Sequence, residues 1–169
     1  MFTQGEIDFL SKISSDKIVK IFPYDSHINQ IASDIISSIH QKYPDLEVMH
    51  MGASGLQISG QGDIDIYCLV LPADAPKYLD GLMKLFGPPI SSKPDSVAWN
   101  FQKDGHEVEL YLTDPDSKGM KRQIAVYQKL KVNQKLLAEY EQLKQRLNGK
   151  SFREYQEKKY VFYHEILGD

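Results

Sequence analysis

Two aspartates, Asp63 and Asp65, stand just after a glycine-rich segment and have the spacing that metal-dependent nucleotidyl transfer requires. Residues two apart in a strand project from the same face. Both carboxylates are therefore predicted to point the same way, while Ile64 and Ile66 enter the core. A third carboxylate, Glu109, lies in a later apolar segment that also has the pattern of a strand.

The strand that carries Glu109 alternates apolar and acidic positions. Its apolar residues are Val108, Leu110 and Leu112, and Glu107 and Glu109 alternate with them. Carboxylates gathered on one sheet face repel each other unless a cation neutralises them. Mg²⁺ suits such oxygen ligands and usually takes one or two carboxylates plus phosphate oxygens. We therefore expect Asp63, Asp65 and Glu109 to bind Mg²⁺ or Mn²⁺ and to be catalytic; solvated carboxylates on an exposed sheet edge are the alternative.

The segment from Met51 to Gly62 contains four glycines and allows close approach of a ligand to the backbone. Backbone N–H groups in such a loop, with the Ser54 hydroxyl, can cradle a phosphate. We therefore assign Gly52 and Ser54 to nucleotide binding. Glycine-rich connections between strands are common, and the following Asp-x-Asp makes this one more specific.

Three Tyr–Lys pairs with a spacing of four occur in the C-terminal part of the chain. Residues four apart share a helix face, so each pair places an aromatic ring beside an ammonium group. We expect Tyr140, Lys144 and Lys159 to bind a nucleotide. The alternative is that the tyrosines fill the seam between helices while the lysines extend over them to solvent. The pairs are Tyr127/Lys131, Tyr140/Lys144 and Tyr155/Lys159.

Hydrophobic periodicity predicts the elements that position these residues. Helices are expected over 4–14, from Ser26 to Tyr43, from Pro72 to about Leu85, and over 118–132, 134–147 and 151–167. Strands are expected over 46–51, 63–71, 96–102 and 106–112, and an Asp-Gly hairpin turn joins the last two.

This element order predicts an α/β (α+β) fold, with a small mixed sheet flanked by helices and a C-terminal helical segment packed on it. At 169 residues the chain is expected to form one domain, with an α/β core over 1–116 and helices over 117–169. Residues 1–116 include 8 basic and 17 acidic residues, whereas residues 117–169 include 12 basic and 6 acidic residues. The functional interpretation is a divided site, in which acidic residues hold metal and basic helices hold a polyphosphate. The alternatives are mutual docking of the two parts or solvated helix faces.

The remaining composition narrows the class of protein. Cys68 has no partner for a disulfide and lies in an apolar run, which predicts a buried thiol. No signal-peptide pattern or bilayer-length apolar run is present, which favours a cytoplasmic protein. The net charge of −3 gives little support to nucleic-acid binding, although the basic C-terminal part leaves it open. His50 and His106 have no zinc-type spacing, and we expect them to be hydrogen-bonded structural histidines.

Five segments combine in an order and spacing typical of a known family. They are Pro23–Asp25, His50–Ser54, Gly62–Ile66, Leu136–Lys144, and Tyr155–Lys159 with Phe162 and Ile166. In these segments the chain resembles the GrpB family, which by fold is placed in the nucleotidyltransferase superfamily of DNA polymerase β type. The family has an apolar residue where this chain has Asp63, so the aspartate pair here is closer to a complete transferase site. Ala53 replaces the usual Ser or Gly of the superfamily loop.

These observations leave hypotheses from different classes. The first is a nucleotidyltransferase that moves a nucleotidyl group from ATP or another nucleoside triphosphate to an acceptor hydroxyl, with Glu109 orienting or deprotonating that hydroxyl. The second is a non-catalytic nucleotide-binding module, which the Ala53 substitution favours. The third is an interaction domain whose acidic face and basic tail pair between subunits. The acceptor and the oligomeric state are not encoded in any recognisable pattern.

Overall fold

The computed structural model describes residues 1–169, and a five-stranded mixed sheet lies at its centre. The strand order across the sheet is β1-β2-β5-β4-β3. The strands are β1 (Glu47–Met51), β2 (Ile64–Leu69), β3 (Ser91–Lys93), β4 (Ser96–Lys103) and β5 (His106–Thr113).

Seven helices surround this sheet. Two of them, α2 and α4, cover one face, and the three C-terminal helices lie on the side of the aspartates. The helices are α1 (Gln4–Ser11), α2 (His27–Lys42), α3 (Gly52–Gly55), α4 (Pro76–Phe86), α5 (Lys118–Val132), α6 (Gln134–Arg146) and α7 (Phe152–Leu167).

Side-chain caps fix where several helices begin. Thr3 and Glu6 form a reciprocal capping box at the start of α1. The Ser117 hydroxyl accepts from the Met120 N–H at α5, and the Asn133 side chain accepts from the Leu136 N–H at α6. Each cap satisfies an N–H group that would otherwise lack a helical partner.

The strand register places the acidic residues. Strands β1 and β2 are antiparallel, β2 and β5 are parallel, and β4 and β5 form an antiparallel hairpin. The hairpin turns at Asp104 and Gly105, both with positive φ, as the Asp-Gly step predicts. In this register Asp65 lies opposite Met51 on one side and Glu109 on the other.

The main hydrophobic core lies between the sheet and helices α2 and α4. Ile64, Ile66 and Leu110 are completely buried there, as the alternation of residues in β2 and β5 predicts. Trp99 of β4 joins them and donates its indole N–H to the Gly87 carbonyl at 2.9 Å. The backbone that carries the carboxylates is therefore held rigidly from the opposite face.

The C-terminal helices pack beside the loop that precedes β2. Ile58 of that loop lies in one cluster with Val126 and Leu130 of α5 and Tyr140 of α6. Loop and helices therefore share a core, which brings side chains of α6 and α7 towards the aspartates.

The N-terminal helix is attached to α7 by a buried polar contact. Glu6 Oε2 lies 2.9 Å from His164 Nε2, and both side chains are about nine-tenths buried. Arg122 of α5 approaches the other Glu6 oxygen at 3.5 Å. Leu10 adds apolar contact with Tyr155. Helix α1 thus braces α7 from the outside.

The structure differs from the sequence prediction most clearly in four elements. The helix expected over 4–14 ends at Ser11. The helix expected from Pro72 begins at Pro76, after a turn. The edge strand Ser91–Lys93 was not predicted, because three polar residues have no periodic apolar signal. Residues Gly52–Gly55, expected to be loop, form one helical turn.

No helix has both the length and the apolar character that a bilayer crossing requires.

We expect Leu110→Ala to lower the free energy of unfolding by about 2–5 kcal/mol, because it leaves a cavity in the fully buried core. The matched control is Leu71→Ala, whose side chain is 49% exposed and whose loss should change stability by less than about 1 kcal/mol. Urea unfolding of both variants measures the difference. Equal losses would contradict the assignment of the core.

Candidate functional site

Asp65 and Glu109 are direct neighbours on adjacent parallel strands. Their Cα atoms are paired in the β2–β5 register, so their side chains project from the same face. That face is opposite to the one on which Ile64 and Leu110 are buried. The period-2 pattern therefore placed these two carboxylates correctly. Asp63 lies just before β2 and its charge acts on Asp65.

The chain begins its helical turn directly against the Asp65 carboxyl group. Gly52 has φ +66°, and a Cβ at this position would overlap Asp65 Oδ2. Only glycine therefore permits both the left-handed backbone and this approach. Gly52, the first glycine of the segment, is in this way fitted closely against the carboxyl group of Asp65.

The three carboxylates do not form a ready-made metal site. No three His, Cys, Asp or Glu side chains anywhere in the chain are grouped closely enough to hold an ion. Asp63, Asp65 and Glu109 therefore do not form a preassembled three-carboxylate group, and their joint binding of a cation stays a prediction. One physical reason is that Glu109 has another partner, because the Tyr111 hydroxyl donates to its Oε2 at 2.7 Å.

Lys144 of α6 lies against the glycine-rich segment. Its side chain is only 3% exposed. A Cβ added to Gly60 would lie 3.4 Å from its Nζ, and Nζ lies 5.1 Å from the centre of the Tyr140 ring. The buried ammonium is thus held between an aromatic face and the backbone before β2.

Lys159 of α7 approaches the same region from a second helix. Its Nζ lies 5.6 Å from the Tyr163 ring centre, not over Tyr155 as the spacing predicted. Burial acts to lower the pKa of Lys159, but the surrounding Tyr163 and Tyr155 and the Asp65 carboxylate outweigh it and hold the pKa above its usual value. Lys159 is therefore a permanent positive charge at the site.

The pKa values of Asp65 and Lys144 are shifted in the directions opposite to those that a direct ion pair would produce. Burial and the charges of Asp63 and Glu109 raise the pKa of Asp65 to about 7, against the opposing effect of both lysines. Burial also lowers the pKa of Lys144 to about 7, and Lys159 adds to the decrease. A direct ion pair would shift both pKa values the other way.

The charged groups influence each other's pKa values but are not in contact. Neither Lys144 nor Lys159 forms a salt bridge within 4.0 Å of any carboxylate. Both nevertheless act on the pKa of Asp65. The acidic and basic groups are therefore near each other without a contact of 4.0 Å or less.

Ser54, expected to offer its hydroxyl to a phosphate, is turned into the protein. It is 4% exposed, and its Oγ lies 2.9 Å from His50 Nε2. Burial lowers the pKa of His50 to about 4, so the imidazole is neutral. The pair ties β1 to α3, and the role of Ser54 is better described as structural.

His106 ties the end of the glycine-rich segment to β5. Its Nδ1 lies 3.0 Å from the Gly62 carbonyl and its Nε2 lies 3.6 Å from Asp25 Oδ2. Because a carbonyl only accepts, Nδ1 donates this hydrogen bond. Phe22 adds a two-way backbone bridge to Gly60. The segment Pro23–Asp25 is thus placed beside the site through its neighbours.

The tyrosines of the three Tyr–Lys pairs are core residues. Tyr127, Tyr140 and Tyr155 are 8%, 4% and 2% exposed. Tyr140 stacks on Phe162 and shares a hydrogen bond with the Tyr163 hydroxyl at 2.9 Å. Its ring is therefore covered by protein. The alternative is confirmed in that the three tyrosines are core residues, but Lys144 is itself buried and does not extend to solvent.

Glu141 is a positioning residue that the sequence did not reveal. Its Oε1 accepts from the Ser59 N–H at 2.8 Å and from the Ser59 hydroxyl at 2.7 Å. Gln145 donates to the same hydroxyl at 3.1 Å. These bonds fasten α6 to the glycine-rich segment one residue before Gly60, where Lys144 lies. A Glu three residues before a Lys on one helix face was the only available signal.

Comparison with known proteins identifies a family. The sequence model described as GrpB protein matches residues 18–169, which is most of the chain. No curated protein matches the sequence.

Among solved structures, the poly(U) polymerase Cid1 with MgGTP bound has a TM-score of 0.46 and 9% identity, over 79% of this chain and 43% of that one. Cid1 with Mg 3'-dATP bound gives 0.45 and 11%. A cytoplasmic RNA terminal U-transferase gives 0.43 and 12%. The chain spans less than half the length of these enzymes, and their activities do not transfer to it at this similarity.

We expect Asp65→Asn to be more stable than the wild type at pH 8. Asp65 has an ordinary pKa of 3.8 when unfolded and about 7 when folded. Its contribution is therefore complete below about pH 4 and is lost as the pH rises to about 7. Asparagine does not ionise, so the variant should gain roughly 2–4 kcal/mol at pH 8 and little at pH 4.

Urea unfolding at the two pH values measures this difference, with Asp80→Asn on the exposed side of α4 as the matched control. A wild type that is more stable than Asp65→Asn at pH 8 would show that the carboxylate is not under electrostatic stress.

We expect Glu141→Ala to loosen the glycine-rich segment, because it removes the acceptor of two Ser59 hydrogen bonds. The loss should be about 1.5–3 kcal/mol and should appear as faster hydrogen exchange at the Ser59 amide. Glu141→Gln keeps an acceptor oxygen and should exchange more slowly than the alanine variant. Unchanged exchange in both variants would remove Glu141 from this role.

Proposed function

The chain belongs to the GrpB family, and we propose that it binds a nucleoside triphosphate together with Mg²⁺ and transfers the nucleotidyl group to an acceptor hydroxyl. The observation that carries this proposal is that Asp65 and the two lysines act on each other electrostatically without a salt bridge between them. Asp65 has a raised pKa and the buried Lys144 has a lowered pKa. Neither group has a counter-charge in direct contact with it.

A metal–triphosphate complex supplies both missing counter-charges. Its cation favours ionised Asp65, and its phosphate oxygens favour protonated Lys144. Lys159, from a second helix, adds a further positive charge. A cation alone would neutralise only Asp65, and an anion alone would neutralise only Lys144. The proposed ligand therefore combines both charges.

The donor set fits Mg²⁺ if the phosphates complete its coordination. Mg²⁺ usually binds to one or two carboxylates plus substrate phosphate oxygens, without an all-protein cage. Asp63 and Asp65 have this chemistry, and no third protein ligand is needed. Asp63 and Asp65 would hold the ion, which would supply positive charge to stabilise the negative charge that develops during transfer.

In this proposal Glu109 binds the acceptor hydroxyl and takes its proton. The Tyr111 hydroxyl occupies its Oε2, which leaves Oε1 for an acceptor hydroxyl. In the transfer, the acceptor oxygen forms a bond to the α-phosphorus and its proton passes to Glu109. The bond from the α-phosphorus to the bridging oxygen breaks, and pyrophosphate leaves with that electron pair. Lys144 and Lys159 bind the phosphates that depart.

A non-catalytic nucleotide-binding module is the second candidate. The absence of a preformed three-carboxylate group and the inward turn of Ser54 favour it. The two candidates share the binding step and differ in chemistry. Release of pyrophosphate from ATP and Mg²⁺ in the presence of a hydroxyl acceptor, lost in Glu109→Gln, supports transfer; binding without release supports the module.

We expect ATP with Mg²⁺ to raise the melting temperature of the wild type, by an amount that corresponds to about 2.7 kcal/mol at a ligand concentration 100-fold above Kd. Asp65→Ala and Lys144→Ala should each abolish most of the shift. The matched control is Lys131→Ala, because Lys131 lies over Tyr127 with similar geometry, 5.7 Å from the ring centre, but is exposed. Equal shifts in wild type and Asp65→Ala would place the nucleotide elsewhere.

A further inference from the structure

A row of side chains crosses the sheet next to the carboxylates. Tyr67 of β2 and Tyr111 of β5 are paired in register, and their rings stack with centres 4.9 Å apart and planes 13° apart. This separation equals the spacing between neighbouring strands. The two rings therefore stand side by side on the sheet, each above its own strand.

The row continues with small residues. Ala98 of β4 is the partner of Tyr111, and Ser91 of β3 is the partner of Ala98. Tyr111 packs against none of the four hydrophobic clusters, and both Tyr111 and Ala98 keep solvent exposure. One face of the Tyr111 ring is covered by Tyr67, and a methyl group and a hydroxymethyl group leave space beside the other.

A polar row runs parallel to the aromatic one. Asp65, Glu109 and Asn100 are successive partners across β2, β5 and β4. This row is two residues along the strands from the aromatic row, or about 6.8 Å. A similar distance separates the centre of a nucleobase from the hydroxyls of its ribose. Asn100 donates one amide hydrogen to Glu107 at 2.6 Å and keeps its carbonyl oxygen.

We propose that the space above Ala98 receives the planar base of the acceptor, and that the acceptor is a nucleoside or nucleotide. This inference rests on the proposed transfer function and names its second substrate. The base becomes the third ring in the row after Tyr67 and Tyr111, and a ribose hydroxyl reaches Glu109. In this proposal the base above Ala98 belongs to the acceptor and not to the triphosphate that Lys144 and Lys159 bind.

The small residue at position 98 then determines whether a base can bind. A larger side chain there would occupy the place of the base, while Tyr111 must keep an aromatic ring to stack on it. Ring stacking contributes substantially to the binding of single bases and tolerates every base type. We therefore expect binding of several nucleosides and little discrimination between them.

Isothermal titration of the full chain with adenosine, guanosine, cytidine and uridine tests the proposal. The wild type should bind at least one nucleoside, and Ala98→Leu and Tyr111→Leu should weaken it at least tenfold. Tyr111→Phe should bind within about threefold of the wild type, because it keeps the ring. The matched control Ala138→Leu, at an exposed position of α6, should bind like the wild type.

The same variants are also titrated with ATP and Mg²⁺. An unchanged affinity in Ala98→Leu supports a separate acceptor base, whereas an equal loss of both ligands overturns it by assigning the space to the triphosphate. Binding of ATP without any nucleoside overturns the acceptor inference and leaves the proposed function intact. Nucleoside binding that Ala98→Leu weakens, with no ATP binding, supports the base site and overturns the proposed function.

Discussion

The electrostatic stress on the Asp65 carboxyl group is the feature on which the rest of the site depends. The parallel pairing of β2 with β5 puts Asp65 beside Glu109, and the hydrophobic core on the opposite face prevents the strand from turning it away. Gly52 approaches the carboxyl oxygen so closely that no side chain fits between them. With two neighbouring acids, the group keeps its proton at a pH at which aspartates are normally ionised.

The C-terminal helices place two lysines near this carboxylate but form no salt bridge to it. Lys144 is held by the Tyr140 ring, and Glu141 fastens its helix to the glycine-rich segment. The position of the ammonium is therefore set by packing and not by attraction to Asp65. The unfavourable free energy of this arrangement would be released by the proposed ligand, which carries both charges; such a cost in stability at a functional site is common.

The sequence predicted some parts of this arrangement and not others, for identifiable reasons. The placement of Asp65 and Glu109 on one face follows from strand alternation, which is a local property. Lys131 and Lys144 have the same spacing from a tyrosine, yet one is exposed and the other is buried under the glycine-rich segment. Burial of that kind depends on contacts about 80 residues apart, such as Ser59 with Glu141, which no local pattern encodes.

The most direct test of the central claim is an NMR titration of the Asp65 carboxyl carbon and the Lys144 Nζ, with and without Mg²⁺ and a non-hydrolysable ATP analogue. Without ligand, the account predicts that both groups titrate near pH 7. With ligand, the pKa of Asp65 should fall and that of Lys144 should rise, because each gains its counter-charge. Two pKa values that remain unchanged at saturating ligand would contradict the account.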